Sequence, residues 1–192
     1  MEKIYIVLVD TPGLFADIIR RTIRREYIHV VLGLDKELNE AYSFGRRNPY
    51  IPFFSGFEKE NLERILGAFP TARYRIYSLD CTEEQKVRMR EKLQSLYKRR
   101  FQYHYCIWGL PYLLLKKPFY QKRRYTCSSF LARFLEENGM GLFDKHFSLV
   151  TPADFYDYKQ TDILFEGPLK EFMQREAGDE SFGSIKGVLY EG

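Results

Sequence analysis

Cys127 is the residue whose surroundings best suit a nucleophile. It lies in Tyr125-Thr126-Cys127-Ser128-Ser129-Phe130-Leu131. Phe130, Leu131, Phe134 and Leu135 fall on one face of a helix expected over Thr126 to Asn138, closed by Asn138-Gly139. Cys127 then occupies the first turn, where unpaired backbone N–H groups and the positive end of the helix dipole gather. A thiol there loses its proton more easily, and the same N–H groups can hold an oxyanion. The plain alternative is a buried, inert cysteine. A thiolate nucleophile also wants an imidazole, and His29 is the best placed. In Tyr27-Ile28-His29-Val30-Val31-Leu32-Gly33-Leu34-Asp35, a period of two sets Ile28, Val30, Leu32 and Leu34 on one side. His29, Val31 and Gly33 take the other side, which is less bulky. A polar ring inside an apolar strand is costly unless partnered, so a purely structural histidine is the alternative. His104 and His146 fall in loops or at helix edges. The residue that orients His29 should come from the next strand. Glu40 is a hairpin's length away, with Asp35, Asn39 and Ser43 as further candidates. A solvated Glu40 on an exposed strand is the bland alternative.

Other chemistries find less support. Cys81, Cys106, Cys127, His29, His104 and His146 form no C-x-x-C or H-x-x-x-H pair. No metal site is expected, and no cofactor. Asp10-Thr11-Pro12-Gly13 has the look of a GTPase element, but no G-x-x-x-x-G-K-[ST] occurs anywhere. It reads as a turn.

Several elements must position the candidates. Strands are expected over Lys3 to Asp10, Tyr27 to Leu34, Leu38 to Phe44, Arg73 to Leu79 and Thr161 to Glu166. Asp35-Lys36-Glu37 serves as a short hairpin connection. Helices are expected over Leu14 to Arg25, Glu58 to Leu66 and Glu83 to about Arg100. In the last, Thr82 and Gln85 make a capping box, and Met89, Leu93, Leu96 and Tyr97 share a face. Strands and helices do not alternate strictly, which predicts an α+β fold with a largely antiparallel sheet. The 192 residues are 45% hydrophobic and 17% aromatic, enough for one core. A single domain over 1–175 is expected, with a polar tail over 176–192.

Three cysteines make no disulfide framework, no apolar run is long enough to span a bilayer, and the first residues lack a signal-peptide pattern. A cytoplasmic location is the expectation. Lys86 to Arg124 holds 12 bases and one acid, whereas Glu136 to Gly192 holds 12 acids and 5 bases. The basic stretch could hold an anionic ligand or lie on a membrane surface. The bland reading is a solvated helix face compensated by the acidic C-terminal third. A competing functional reading is a non-enzymatic module that binds nucleic acid or anionic lipid through residues 86–124. Nucleic acid is the less favoured partner.

These residues resemble a known family. Cys127-Ser128-Ser129-Phe130 before an apolar helix is similar to the D-C-S-G-F nucleophile motif of NlpC-type papain-fold cysteine peptidases. His29-Val30-Val31-Leu32-Gly33-Leu34, followed by Asn39-Glu40-Ala41, resembles that family's H-V-G-I-Y-L strand and the polar-then-Ala strand after it. With histidine first and cysteine second, the order is that of the circularly permuted, YiiX/YaeF-like branch. Tyr42-Ser43-Phe44-Gly45-Arg46, Gly56-Phe57-Glu58-Lys59-Glu60 and Thr151-Pro152-Ala153-Asp154-Phe155 are also similar, and the likeness spans roughly Lys3 to Gly167. It implies a permuted papain-like fold, an antiparallel sheet packed against the cysteine's helix. Cys127 would be the nucleophile, His29 the base and Glu40 the third residue. Ser128 and Tyr105, which falls loosely in the family's Tyr-x-x-Gly segment, would meet substrate. Thr126 replaces the family's Asp, and Ser129 its Gly. The implied activity is hydrolysis of an amide or ester through a thioacyl-enzyme. Its substrate would be a small-molecule or peptide-like amide or acyl compound.

Overall fold

The computed structural model describes residues 1–12, 20–21, 25–48, 55–106, 109–158 and 162–177. Its main sheet has six strands, all antiparallel: β1 (Glu2–Asp10), β2 (His29–Gly33), β3 (Ala41–Arg46), β4 (Ser55–Lys59), β5 (Arg73–Cys81) and β8 (Ile163–Pro168). Their spatial order is β4-β3-β2-β1-β5-β8. A parallel pair, β6 (His104–Tyr105) and β7 (Arg124–Tyr125), lies apart from it. The chain is therefore α+β, as its pattern of strands and helices implied.

β1 runs through the middle, which is why it reads as a nearly continuous apolar run. Ile4, Ile6 and Leu8 enter one core, and Val7 and Val9 enter another on the opposite face. The first face is covered by α2 (Glu83–Lys98), α4 (Cys127–Glu137) and α5 (Pro152–Tyr158). The second is covered by α1 (Leu62–Ala68) and a helix over 169–177, through Ile65, Leu66, Leu169 and Phe172. A short α3 (Gly109–Leu114) follows β6. The capping box of α2 forms between Thr82 and Gln85, and Asn138 with Gly139 (φ 75°) ends α4.

Three local expectations need correction. The segment from Glu58 to Leu66 is not one helix. Ser55–Lys59 pairs with β3 as a strand, and the helix starts after Asn61, whose side chain accepts from the Arg64 N–H at 2.7 Å. Gly56 is required there, because a Cβ would lie 2.5 Å from both the Arg47 guanidinium and the Tyr103 carbonyl oxygen. The β2–β3 connection is longer than Asp35-Lys36-Glu37. The Asp35 carboxylate accepts from the N–H groups of Asn39 (2.7 Å) and Glu40 (2.6 Å), and β3 begins only at Ala41. The last strand starts at Ile163 and runs on to Pro168. Of the helix expected over Leu14 to Arg25, all but Arg20, Arg21 and Arg25 lie outside the described residues, as do Thr161 and the tail beyond 177.

Candidate active site

The site begins where two strands part. β2 and β3 pair at Leu32↔Tyr42 and Gly33↔Ala41, and their ladder stops there. The Leu34 N–H donates to the Glu40 carbonyl (2.9 Å), so by the period of two the Val30 N–H also faces β3. With the ladder ended, that donor is free for another acceptor, and the Cys127 sulfur takes it. The His29 ring lies in the same opening. Gly45 leaves it room: a Cβ there would stand 3.3 Å from His29 Cε1.

Cys127 arrives from the other core. Thr126 is the N-cap of α4. Its hydroxyl accepts from the Ser129 N–H (3.2 Å), while Ser129 Oγ accepts from the Thr126 N–H (2.9 Å). Phe130 presses the helix start onto the sheet, with ring centroids 4.9 Å from Phe44 and 5.2 Å from Phe57. The thiol and the His29 ring are near enough to act on one another's titration, and the Ser128 backbone N–H also acts on the sulfur. Cys127 is 4% exposed, whereas the His29 side chain keeps 23% of its surface open to solvent.

The far side of the ring is equally well partnered. His29 Nε2 lies 3.1 Å from Ser43 Oγ and 3.6 Å from Glu60 Oε1. Ser43 in turn donates to Glu60. Because Nε2 is engaged by this pair, Nδ1 is the nitrogen left for the sulfur. The two cysteine-helix and histidine-strand candidates, far apart in sequence, are thus brought together.

Glu40 is not part of this constellation. Its carboxylate is held by Arg90 Nε at 2.8 Å and by Gln94 at 3.4 Å. Residue 40 lies in the turn before β3, which displaces it from the strand position that His29 faces. Of the alternatives, Asp35 caps its own turn and Ser43 reaches the ring. Glu60 fills the third place. It was overlooked because Glu58 to Leu66 reads as a helix, whereas the Glu60 N–H donates to Ala41 O (2.8 Å) and so extends the β4–β3 pairing. The signal was Asn61, a good N-cap residue that places the helix start after Glu60. Ser128 is also displaced from its expected role. Its hydroxyl is buried and donates to the Val150 carbonyl at 2.6 Å, tying the start of α4 to the following segment. Tyr105 does reach the site, near enough to Cys127 for the two to shift one another's titration.

Electrostatics follow from this packing. Burial opposes charge on His29, but the Cys127 sulfur and Glu60 outweigh it and raise the ring to about 10. Burial likewise pushes the Cys127 thiol up, and His29 with the Val30 and Ser128 N–H groups brings it below its ordinary value. Glu60 is lowered too, since His29 and Ser43 overcome its burial. Tyr105 moves up, through burial and the neighbouring cysteines. The two shifts run in opposite directions, so each group favours the charged form of the other, thiolate beside imidazolium. Among the described residues no cluster of three metal-ligating side chains occurs.

These shifts make stability depend on pH. The raised His29 contributes fully below its ordinary 6.5 and loses that contribution as pH rises through about 10. The depressed Cys127 contributes fully above its ordinary 9.0 and loses it as pH falls through its lowered value. Where the two ranges overlap, below 9.0, the opposing slopes cancel and leave a plateau. Urea melts should therefore show the stability advantage over Cys127→Ala to be greatest and flat in that window, declining on both sides. A difference that climbs steadily through the window would contradict the coupling.

Compared with known proteins, the chain matches no family model, no curated protein and no solved structure.

Proposed function

We propose that the chain is a cysteine hydrolase of amide or ester bonds, with a permuted papain-like arrangement of the kind its motifs resemble. The observation that carries this reading is the contact of Cys127 with a His29 ring whose other nitrogen faces Ser43 and Glu60. A buried thiolate has little structural use, because the same volume filled by an apolar group would pack without the cost of charge. As a nucleophile it has one.

The chemistry runs in two halves. The Cys127 thiolate attacks a carbonyl carbon, forming the S–C bond and placing negative charge on the carbonyl oxygen. At the start of α4 the Ser129 and Phe130 N–H groups are taken by Thr126, and the Ser128 N–H by the sulfur. The Cys127 N–H is left as a donor to that oxygen, and the Tyr105 hydroxyl, which faces the sulfur at rest, can turn to it. The bond to the leaving amine or alcohol then breaks, and His29 gives that group its proton. In the second half neutral His29 takes a proton from water as the water attacks the thioacyl carbon. The acid leaves, and thiolate and imidazolium return. Glu60, through Ser43 and directly, fixes which nitrogen faces the sulfur. It is a positioning residue.

Incubation with p-nitrophenyl acetate should acetylate Cys127, read by intact and peptide mass spectrometry. His29→Ala should accumulate the acetyl-enzyme or fail to form it, and Cys127→Ala should remain unmodified. Acetylation spread evenly over Cys81, Cys106 and lysines would remove the support for this function.

A further inference from the structure

The basic stretch divides into two halves with different fates. On α2, Lys86 pairs with Glu2 (2.8 Å) and Arg90 with Glu40 (2.8 Å), while Arg88 (3.3 Å) and Lys92 (3.0 Å) bind the Asn138 side-chain oxygen at the end of α4. That half is structural, and its carboxylate partners, Glu2 and Glu40, do not come from the acidic C-terminal third. Lys116, Lys117, Lys122, Arg123 and Arg124 differ. They are exposed, and among the described residues none has a carboxylate partner. They stand on or directly after two turns, each with a residue in the left-handed region, Lys116 (φ 53°) and Arg123 (φ 62°).

Apolar side chains share these turns. Leu115 is 66% exposed beside Lys116, and Tyr120 is 40% exposed beside Lys122. Tyr112, 41% exposed, stacks on Phe119 at 4.4 Å between them. From Lys92 to Leu135 the sequence has no Asp or Glu. The neighbouring carboxylate of Glu137 is held by Arg133 at 2.7 Å.

We propose that this face docks on an anionic lipid bilayer. Cations ringed around exposed leucine and tyrosine match such a surface twice, the charges to the headgroups and the apolar side chains to the boundary beneath them. A nucleic acid would satisfy the cations and leave Leu115 in water. A small pocket of about 10 Å³ beside this face is lined by Leu113, Phe119, Tyr120, Cys106, Thr126 and Ser129, and neither Cys127 nor His29 lines it. The docking surface stands apart from the hydrolase reading, since none of its residues belongs to the dyad.

The test is flotation of the full chain with vesicles containing phosphatidylglycerol, against vesicles of phosphatidylcholine alone. Binding is expected to the first, to weaken with salt, and to be weak to the second. Lys116→Gln and Lys117→Gln should each lower affinity by about fivefold. Leu115→Ser, which leaves the charge unchanged, should lower it by about tenfold. Thermal melts of each variant check that it folds, and Cys127→Ala should float like the wild type, so loss of turnover and loss of docking are separable. No flotation with anionic vesicles at low salt would overturn the proposal. So would Leu115→Ser floating as well as wild type, or a DNA duplex binding more tightly than the vesicles and indifferent to Leu115→Ser. That last result would assign the face to nucleic acid.

Discussion

Iodoacetamide at slightly acidic pH is expected to alkylate Cys127 well ahead of Cys81 and Cys106, and His29→Ala should abolish that order. Burial raises the Cys81 and Cys106 thiols, so few of them are ionised below pH 8. Cys127 is equally buried but carries the opposite shift, because the imidazolium and two backbone N–H groups stabilise its charge. Its alkylation rate should level off at lower pH than those of Cys81 and Cys106, and change again near pH 10, where His29 loses its proton. Without the ring only burial remains as the large influence, and the thiol moves upward. The rate at pH 6 should then fall by about 10²-fold, the lower intrinsic reactivity of a low-pKa thiolate having been allowed for. Peptide mass spectrometry across a pH series reads both the order and the profile. A Cys127 rate that follows pH as those of Cys81 and Cys106 do, in the wild type and in His29→Ala alike, would deny the ion pair.

The second large effect is expected at Glu60. Glu60→Gln should lower turnover by about 10²-fold or more, whereas Glu40→Gln should change it little. The amide can still accept from Ser43, but its NH₂ group can donate to His29 Nε2. That favours the tautomer with hydrogen on Nδ1, facing the sulfur, and removes the carboxylate that stabilises the charged ring. The loss should appear mainly in kcat, with a downward shift of the alkaline limb of the pH profile. A merely structural role would lower the melting temperature and leave that limb in place. Glu40 is bound to Arg90 and Gln94 on α2, so its replacement should cost some stability at that helix and leave the pH profile unmoved.

The contrast between these carboxylates marks how far sequence reasoning reaches. Cys127 and His29 were legible because each depends on a local pattern. One is an apolar helix face with a polar first turn, and the other is an apolar strand interrupted by one ring. The central strands and the α2 capping box were legible for the same reason. Glu60 was hidden by its neighbourhood. Glu58 to Leu66 is rich in helix formers, and only pairing with β3 makes its first residues a strand, a tertiary effect that overrides local preference. Ser128 and Tyr105 could not be ranked from sequence either. Which of the two faces the sulfur depends on how the β6–β7 pair and the Val150 segment pack around α4. The same holds for the basic stretch, whose two halves look alike in sequence and differ only in whether a partner is in reach.

The pairing of sulfur and imidazole is tested most directly by following the His29 ring itself through a pH titration by NMR. With three histidines in the chain, His29→Ala assigns its signal. The ring is expected to stay protonated to about pH 10 in the wild type and to titrate at markedly lower pH in Cys127→Ala. A His29 signal that titrates near 6.5 in both proteins would contradict the thiolate–imidazolium pair, and with it the assignment of Cys127 as a nucleophile.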